Sequence, residues 1–482
     1  MPVTAQHPMS RVDTAWLRMD NEVNLMMIVG VWLLTPAISL DALRERILAR
    51  LLPYERFRQL ARIDARGANW VDDPAFDVAS HVVVETIQRR RGQSERAALQ
   101  QRCGELASTR LDPRKPLWQF HLVEHCEGGS ALIARIHHCI GDGVALVSVM
   151  ASIADGGVVL PRALLGRSPP QAPQGDGWSA VLPKTLSGLA RAAMHRSGDG
   201  LGPALDLDLL AHPGRPLQAS LGLARDSLQW LEDAAALAMM GNDTPTRLKG
   251  KPIGRKLVAW GDPLPLDGVK AISRGLACSI NDLLLSCVSG AIGRWIRQQG
   301  DDPAGVEIRA MVPVNLRPPE QAWQLGNQFG LAPVLLPIGI ENPVERVYAL
   351  RSRMGQLKGG YQPLLAYGVL ALAGLLIKPG QDLLLGYFSQ KATVVMSNLV
   401  GPCERIKLCG ATLRQAMFWV PASGEVGVGL SILSYGGGVQ FALITDAALC
   451  SDPQAIIDGF ELEFEQLLWL SLMLPWGDGQ AV

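Results

Sequence analysis

The 482-residue chain predicts an α/β fold arranged as two lobes joined by a helical crossover. Three observations carry this reading. Short β-prone runs alternate with segments of helical spacing in both halves, the pattern of sheets covered by helices. A stretch rich in Pro, Gly and Gln at residues 168–176 interrupts that pattern, just after a shift in composition near Leu160. Beyond it, residues 178–237 have helical character broken by Gly and Pro, with little β signal. The resulting boundaries are 1–175 for the first lobe, 176–245 for the crossover and 246–482 for the second lobe. That division suits a chain of this length at about 100–200 residues per domain.

Residues 23–34 form an apolar run of β-formers. Residues 40–52 set Leu40, Leu43, Ile47 and Leu51 at helical spacing behind Ser39, a residue type that caps helix starts. Residues 118–124 (WQFHLVE) alternate as a half-buried strand does. Residues 127–130 (EGGS) turn the chain into a second strand at 131–136, which predicts a hairpin, and residues 144–154 then read as a helix. In the second lobe, residues 264–273 and 280–297 have helical spacing. Residues 308–314, 329–336, 392–397, 426–434 and 439–445 read as strands, the last after a YGGG turn at 435–438. Asp452 and Pro453 mark the start of a final helix, as N-cap and first-position proline.

The most membrane-like stretch is 364–377 (LLAYGVLALAGLLI), whose 14 residues fall short of a span; crossing needs about 20. It predicts a buried core helix, with a helix lining a lipid pocket or touching a membrane surface as alternatives. Residues 469–476 (WLSLMLPW) form a second apolar patch.

Hydrophobic residues make up 48% of the chain and charged residues 19%, enough apolar material for a sizeable core. Lys plus Arg equals Asp plus Glu at 45 each, so there is no global field to attract nucleic acid or an anionic membrane. Arg89, Arg90 and Arg91 form a local basic run that reads as a solvated loop. The eight cysteines are dispersed without a CxxC pair, a pattern of free thiols in a reducing cytoplasm. Residues 1–18 lack an apolar segment preceded by basic residues, so no secretory signal is expected.

The chemistry concentrates at His137-His138-Cys139-Ile140-Gly141-Asp142-Gly143, where a predicted strand gives way to a loop and then a helix. Side chains alternate along a strand, so the two histidines face opposite ways. An imidazole with an ordinary pKa of about 6.5 is largely neutral at pH 7 and can deprotonate a hydroxyl attacking a carbonyl. His138 is the candidate base, and His137 supports the loop and its neighbour. Asp142 either orients an imidazole or pairs with an arginine to lock the loop, and the second role is favoured because a competing carboxylate would hinder the chemistry. Gly141 and Gly143 suit a tight turn. A structural histidine pair and a metal site are the competing readings, although the spacing lacks HExxH or CxxC and no distant ligand set stands out.

The HHxxxDG pattern resembles the coenzyme A-dependent acyltransferase superfamily, which includes chloramphenicol acetyltransferases and peptide-synthetase condensation domains. Several segments resemble the bacterial wax ester synthase/diacylglycerol acyltransferase family more closely. These are the opening from Met9 to Leu17, Trp70 to Asp77, Pro116-Leu117-Trp118, Asn281-Asp282, Pro313 to Pro318, Gly326-Asn327 and Ser397 to Pro402. The resemblance covers nearly the whole chain. Met9 stands where the family opening has Leu, and residues 24–31 fit it loosely, departures that bear on substrate preference and not on the fold.

The resemblance implies two similar chloramphenicol-acetyltransferase-like α/β lobes with a central substrate tunnel between them. It implies transfer of a long-chain acyl group from acyl-coenzyme A, a co-substrate in a reaction needing no other cofactor, to a fatty alcohol or diacylglycerol. His138 is then the general base, with His137 and Asp142 completing its motif. Asn281 is the candidate oxyanion donor, or else a helix N-cap followed by Asp282 in the first turn. Gly143, Asp282, Ser397 and Asn398 are candidate substrate contacts. Pro116, Leu117 and Trp118 read as packing or lobe contact. No metal or nucleic-acid partner is expected, and the oligomeric state is open. The expected location is cytoplasmic, with peripheral contact to the inner membrane or lipid inclusions as an open alternative. A condensation-type amide- or ester-forming enzyme and a non-catalytic lipid-binding relative are the competing functions.

Overall fold

The structure, a computed structural model, describes residues 6–64, 67–157, 239–317, 324–357, 362–376, 378–422 and 424–473. The linker at 168–176 and the helical crossover at 178–237 lie outside the described residues.

The first lobe opens with β1 (Gln6–Pro8) and α1 (Arg11–Met19), then β2 (Met27–Thr35) and α2 (Leu40–Arg50). Ser39 caps α2 as expected, its hydroxyl accepting from the Ala42 N–H at 3.3 Å. Strands β3 (Gln59–Ile63) and β4 (Ala68–Asp72) join β1 in a small three-stranded sheet. After β5 (Val82–Val84) and α3 (Glu95–Ala107) come β6 (Trp118–Cys126) and β7 (Gly129–His137). The expected hairpin forms between these two. Glu127 (φ 49°) and Gly128 (φ 76°) are both left-handed, the requirement of a two-residue turn matched to strand twist. Helix α4 (Gly143–Ile153) follows the loop after β7.

The second lobe runs through β8 (Lys256–Trp260), β9 (Leu264–Pro265), α5 (Leu266–Gly275), α6 (Ile280–Gln298), β10 (Ile308–Asn315) and β11 (Phe329–Leu336). Three helices follow, α7 (Pro343–Leu357), α8 (Gln362–Ala373) and α9 (Lys378–Ser389), and then β12 (Val394–Val400). Next are β13 (Lys407–Leu408), β14 (Ala411–Trp419), β15 (Val428–Tyr435), β16 (Gly438–Asp446) and α10 (Pro453–Met473). Asp452 caps α10, its carboxylate accepting from the Ala455 N–H at 3.3 Å.

Each lobe is built on a mixed sheet. The second lobe's sheet runs β11-β10-β12-β15-β16-β8, with β9 also on β16. Its core gathers around α6, on which residues 282–293 are continuously buried. That explains the apolar run through Leu283, Leu284 and Leu285, which one amphipathic stripe would not need.

The first lobe's sheet runs β13-β14-β2-β7-β6-β5, and this corrects the linear domain boundaries. Strands β13 and β14 fall within 246–482 by position, yet β14 pairs antiparallel with β2, Trp419 opposite Val29 and Thr412 opposite Thr35. The second half of the chain therefore supplies two strands of the first lobe's sheet. Buried residues from β14 (Leu413, Met417, Trp419) share the first lobe's core with Val31 and Ile133. An alternating strand carries no label for its partner, so chain position alone misassigned it. No single helix among the described residues is long and apolar enough to cross a membrane.

Candidate active site

The two histidines sit where β7 ends, and the backbone holds both. The His137 N–H donates to the Leu117 carbonyl (2.9 Å) and the His138 N–H to the Met26 carbonyl (2.8 Å). His137 lines a hollow on one side of the pair and His138 a cavity on the other. The His137 Nδ1 accepts from the Cys139 N–H at 3.1 Å and so braces the turn that follows.

Asp142 locks the loop instead of orienting an imidazole. Its carboxylate caps α4 by accepting from the Ala145 N–H (2.9 Å). It also takes a two-pronged pair from the Arg317 guanidinium (3.2 and 3.0 Å) and the Gln328 N–H (3.0 Å). Arg317 and Gln328 belong to the second lobe, so the favoured arginine-pair role becomes an inter-lobe clamp. Gly141 forms a bridge with Gly326 of the same incoming segment. Neither Gly141 nor Gly143 adopts the left-handed conformation expected of a tight turn. Their missing side chains matter for approach: a Cβ on Gly141 would lie 3.4 Å from Leu325, and one on Gly143 3.4 Å from Leu399.

The His138 ring is held by residues from both lobes. Asp13 and Trp16 lie three positions apart on α1 and so share a face. The Trp16 indole stacks on the imidazole with centroids 4.1 Å apart and planes 8° from parallel. The His138 Nδ1 is 2.9 Å from Asn327 Oδ1. The Asn327 amide has only one orientation that satisfies its surroundings. Its Nδ2 donates to Asp13 Oδ1 (2.7 Å) and to the His138 carbonyl (2.8 Å), so Oδ1 must be the atom facing the ring. An amide oxygen only accepts, hence Nδ1 carries the imidazole proton and Nε2 is left with a free lone pair. Asp13 is held in turn by the Asn327 N–H (3.0 Å) and by Arg56 (3.3 Å).

Burial pushes the His138 pKa down to about 4, against the nearby Asp142 carboxylate and the Asn327 hydrogen bond, which raise it. His137 falls to about 3, again through burial first and then through the neighbouring His138 and Arg110. Burial raises the Asp13 pKa while Arg56 and Asn327 oppose the rise. Both imidazoles are therefore neutral at pH 7.

The cavity at His138 has a volume of about 290 Å³ and lies between the lobes. Met311, Leu331 and Val395 of the second lobe make it apolar, and Gly143, Ser397 and Asn398 border it. The 364–377 segment supplies Ala366, Val369 and Leu370 from α8, so this helix lines the cavity. The resemblance implies one tunnel through the molecule; this cavity and the hollow at His137 are instead separate spaces that share no lining residue.

Two candidate site residues are placed elsewhere. The cap of α6 is Ser279, whose hydroxyl accepts from the Asp282 N–H while the Asp282 carboxylate accepts from the Ser279 N–H. Asp282 is thus a buried capping residue outside the cavity lining. Asn281 is exposed, lies outside that lining and accepts from the Asn398 Nδ2 at 2.7 Å. It holds a residue that borders the cavity and is neither the cap nor a lining group. Pro116, Leu117 and Trp118 pack: the buried Trp118 indole donates to the Phe57 carbonyl (2.8 Å) and stacks on His81. Among the described residues, no three His, Cys, Asp or Glu side chains cluster as a metal-ligand set.

Residues 9–284 match the wax ester synthase/diacylglycerol acyltransferase catalytic domain, and residues 325–468 match the C-terminal domain of the same family. The chain belongs to the wax ester synthase/diacylglycerol acyltransferase family. It is an acyltransferase, and the expectation drawn from HHxxxDG and its companion segments holds. A probable diacylglycerol O-acyltransferase of Mycobacterium tuberculosis, tgs1, is 23% identical over 96% of both chains. Wax ester synthase/diacylglycerol acyltransferase 4 of Arabidopsis thaliana is 22% identical over 95% of this chain and 88% of its own. Among solved structures, the wax ester synthase/diacylglycerol acyltransferase from Marinobacter aquaeolei VT8 superposes with a TM-score of 0.63. It is 18% identical over 97% of this acyltransferase and 100% of that chain. The first condensation domain of the CDA synthetase shares the two-lobed fold, with a TM-score of 0.55 and 13% identity over 97% of each chain.

Asn327, Asp13, Trp16 and Arg317 carry the site's geometry, yet the sequence marked them only as parts of resembling segments. Asn327 stands 189 positions from His138, and no local pattern announces that contact.

Proposed function

We propose that this acyltransferase moves a long-chain acyl group from acyl-coenzyme A to the hydroxyl of a fatty alcohol or diacylglycerol, with His138 as general base. The carrying observation is the neutral imidazole of His138, its proton assigned to Nδ1 and its Nε2 unbonded at an apolar cavity. The acceptor hydroxyl oxygen attacks the thioester carbonyl carbon while Nε2 takes the hydroxyl proton. The tetrahedral intermediate collapses by breaking the carbon–sulfur bond. The imidazolium then returns its proton to the departing thiolate, leaving an ester and free coenzyme A. The step needs no cofactor beyond the thioester. The Asp142–Arg317 pair and the Asp13–Asn327 pair hold the ring between two lobes, so they contribute orientation and no proton transfer of their own.

The Ser397 hydroxyl borders the cavity and makes no hydrogen bond among the described residues, which suits it to the developing oxyanion or an incoming hydroxyl. The exposed Trp469, Leu472 and Met473 near the end of α10 support contact with a lipid surface during substrate loading.

The test is release of free thiol from palmitoyl-coenzyme A with hexadecanol or dioleoylglycerol. Wild type should turn over at least one acceptor, and His138→Ala should lower kcat by about 10²–10⁴-fold, the range of a general base. Equal turnover by His138→Ala would remove the base from the mechanism.

A further inference from the structure

A second hollow, of about 600 Å³, lies on the His137 side of the pair, and nothing in the acyl-transfer mechanism uses it. Its walls are largely apolar, with Leu17, Leu25, Ile63, Leu111 and Leu117 among them. Three cations, Arg18, Arg110 and Lys378, face two carboxylates, Asp20 and Asp64. We propose that this hollow binds a long-chain carboxylate, its head at Arg110 and His137 and its chain along the leucine-rich wall.

The polar end of the hollow is short of an acceptor. The His137 Nδ1 accepts from the Cys139 N–H, so the neutral ring carries its proton on Nε2. That Nε2–H is buried and makes no hydrogen bond. Asp20 Oδ1, the carboxylate oxygen beside it, is 3.9 Å away and already accepts from the Met26 N–H at 2.8 Å. The other Asp20 oxygen faces Arg110 at 3.3 Å, and the Arg110 side chain is 48% exposed, leaving donors free for a ligand. A buried donor beside a half-free guanidinium calls for an anionic oxygen.

Charge and shape narrow the class. Lys378 is paired with Asp382 (2.7 Å) and Arg18 donates to the Leu376 and Gly67 carbonyls, so Arg110 is the cation left to meet a ligand, which matches a single negative charge, whereas a coenzyme A head carries several. The apolar wall suits an acyl chain. His138 does not line this hollow, so a ligand there would not touch the acyl-transfer base. It would abut His137, whose Nδ1 braces the turn beyond that base.

The test reads binding in the full chain without acceptor alcohol, so no turnover enters and the acyl-transfer reading stands or falls separately. Fluorescence of cis-parinaric acid, a long-chain carboxylate, reports occupancy, with oleate, oleyl alcohol and oleoyl-coenzyme A as competitors. Oleate should displace the probe at least about tenfold more tightly than the uncharged alcohol of equal length. Arg110→Gln should weaken the probe by about tenfold, and Ile63→Trp, a change at a half-exposed wall residue, should abolish the Arg110-dependent binding. Met311→Trp, which fills the inter-lobe cavity instead, should leave that binding within twofold. Thermal melting of each variant confirms that it is folded. The proposal is overturned if Met311→Trp alone removes the binding, if Arg110→Gln has no effect, or if oleoyl-coenzyme A is the tighter Arg110-dependent ligand.

Discussion

Replacing Asn327 by leucine, a side chain of similar size, should leave a folded enzyme with a crippled chemical step. The amide currently bonds His138 Nδ1 (2.9 Å), the His138 carbonyl (2.8 Å) and Asp13 Oδ1 (2.7 Å). Without it, the imidazole proton is no longer confined to Nδ1, and the tautomer protonated on Nε2 cannot accept from a hydroxyl. Orienting the neutral ring is worth an ordinary hydrogen bond, about 0.5–1.5 kcal/mol, and the same contact to the imidazolium formed in the reaction is worth about 1.5–3 kcal/mol. A loss of about 2–4 kcal/mol lowers kcat by roughly 30- to 10³-fold. KM should change little, since Asn327 does not line the substrate cavity. Stability should fall by only about 1–3 kcal/mol, because Asp13 keeps Arg56 and the backbone N–H of residue 327. Asn327→Asp separates orientation from mere packing. It restores an acceptor but adds a negative charge, which favours the imidazolium and raises the His138 pKa from its value of about 4. The acid limb of the rate profile should then move up toward neutrality in Asn327→Asp, while the wild-type rate stays flat down to about pH 5. Thiol release measured from pH 4 to 8 on both variants decides the matter. A leucine variant within threefold of wild-type kcat, or an aspartate variant with an unmoved acid limb, would refute the positioning role.

Burial holds His137 and His138 neutral, with pKa values of about 3 and about 4, and it lowers His121 to about 4. In the unfolded chain these groups titrate near 6.5, so between that pH and about 4 the unfolded state binds more protons than the folded one. Stability contributed by these buried neutral rings is therefore present above pH 6.5 and declines as pH falls toward 4, by up to about 1.4 kcal/mol per pH unit per histidine. Urea midpoints recorded across that interval should drop steadily, and a midpoint that stays level would contradict the burial of these rings. Asp142→Ala should destabilise by about 3–5 kcal/mol, since it leaves the buried Arg317 charge without its partner and uncaps α4. Melting temperatures test this, and a variant melting within 2 °C of wild type would count against the inter-lobe clamp.

The same burial sets the acid limb of the rate profile. An ordinary histidine would place the acid limb between pH 5 and 7, whereas a ring enclosed by Trp16 and Phe329 and bonded to Asn327 places it near 4.

Local interactions were legible in the chain alone. The Ser39 and Asp452 caps, the hairpin turn at Glu127 and Gly128, the strand Phe329–Leu336 and the strand-loop-helix around His138 all rest on contacts spanning a few residues. Dihedral preference, capping and periodicity act over that range, so spacing encodes them. The cap of α6 marks the edge of this legibility, because Ser279 and Asn281 are both good capping residues and only the backbone geometry chose Ser279. Tertiary structure decided everything that crosses the lobes: β14 beside β2, Arg317 on Asp142, Asn327 on His138, and α8 against the cavity. Those contacts join residues up to several hundred positions apart, and their partners are selected by shape, register and charge once the sheets have formed. A one-dimensional pattern holds no trace of that selection. The motif announced a histidine, and the docking of two lobes made its Nε2 a base.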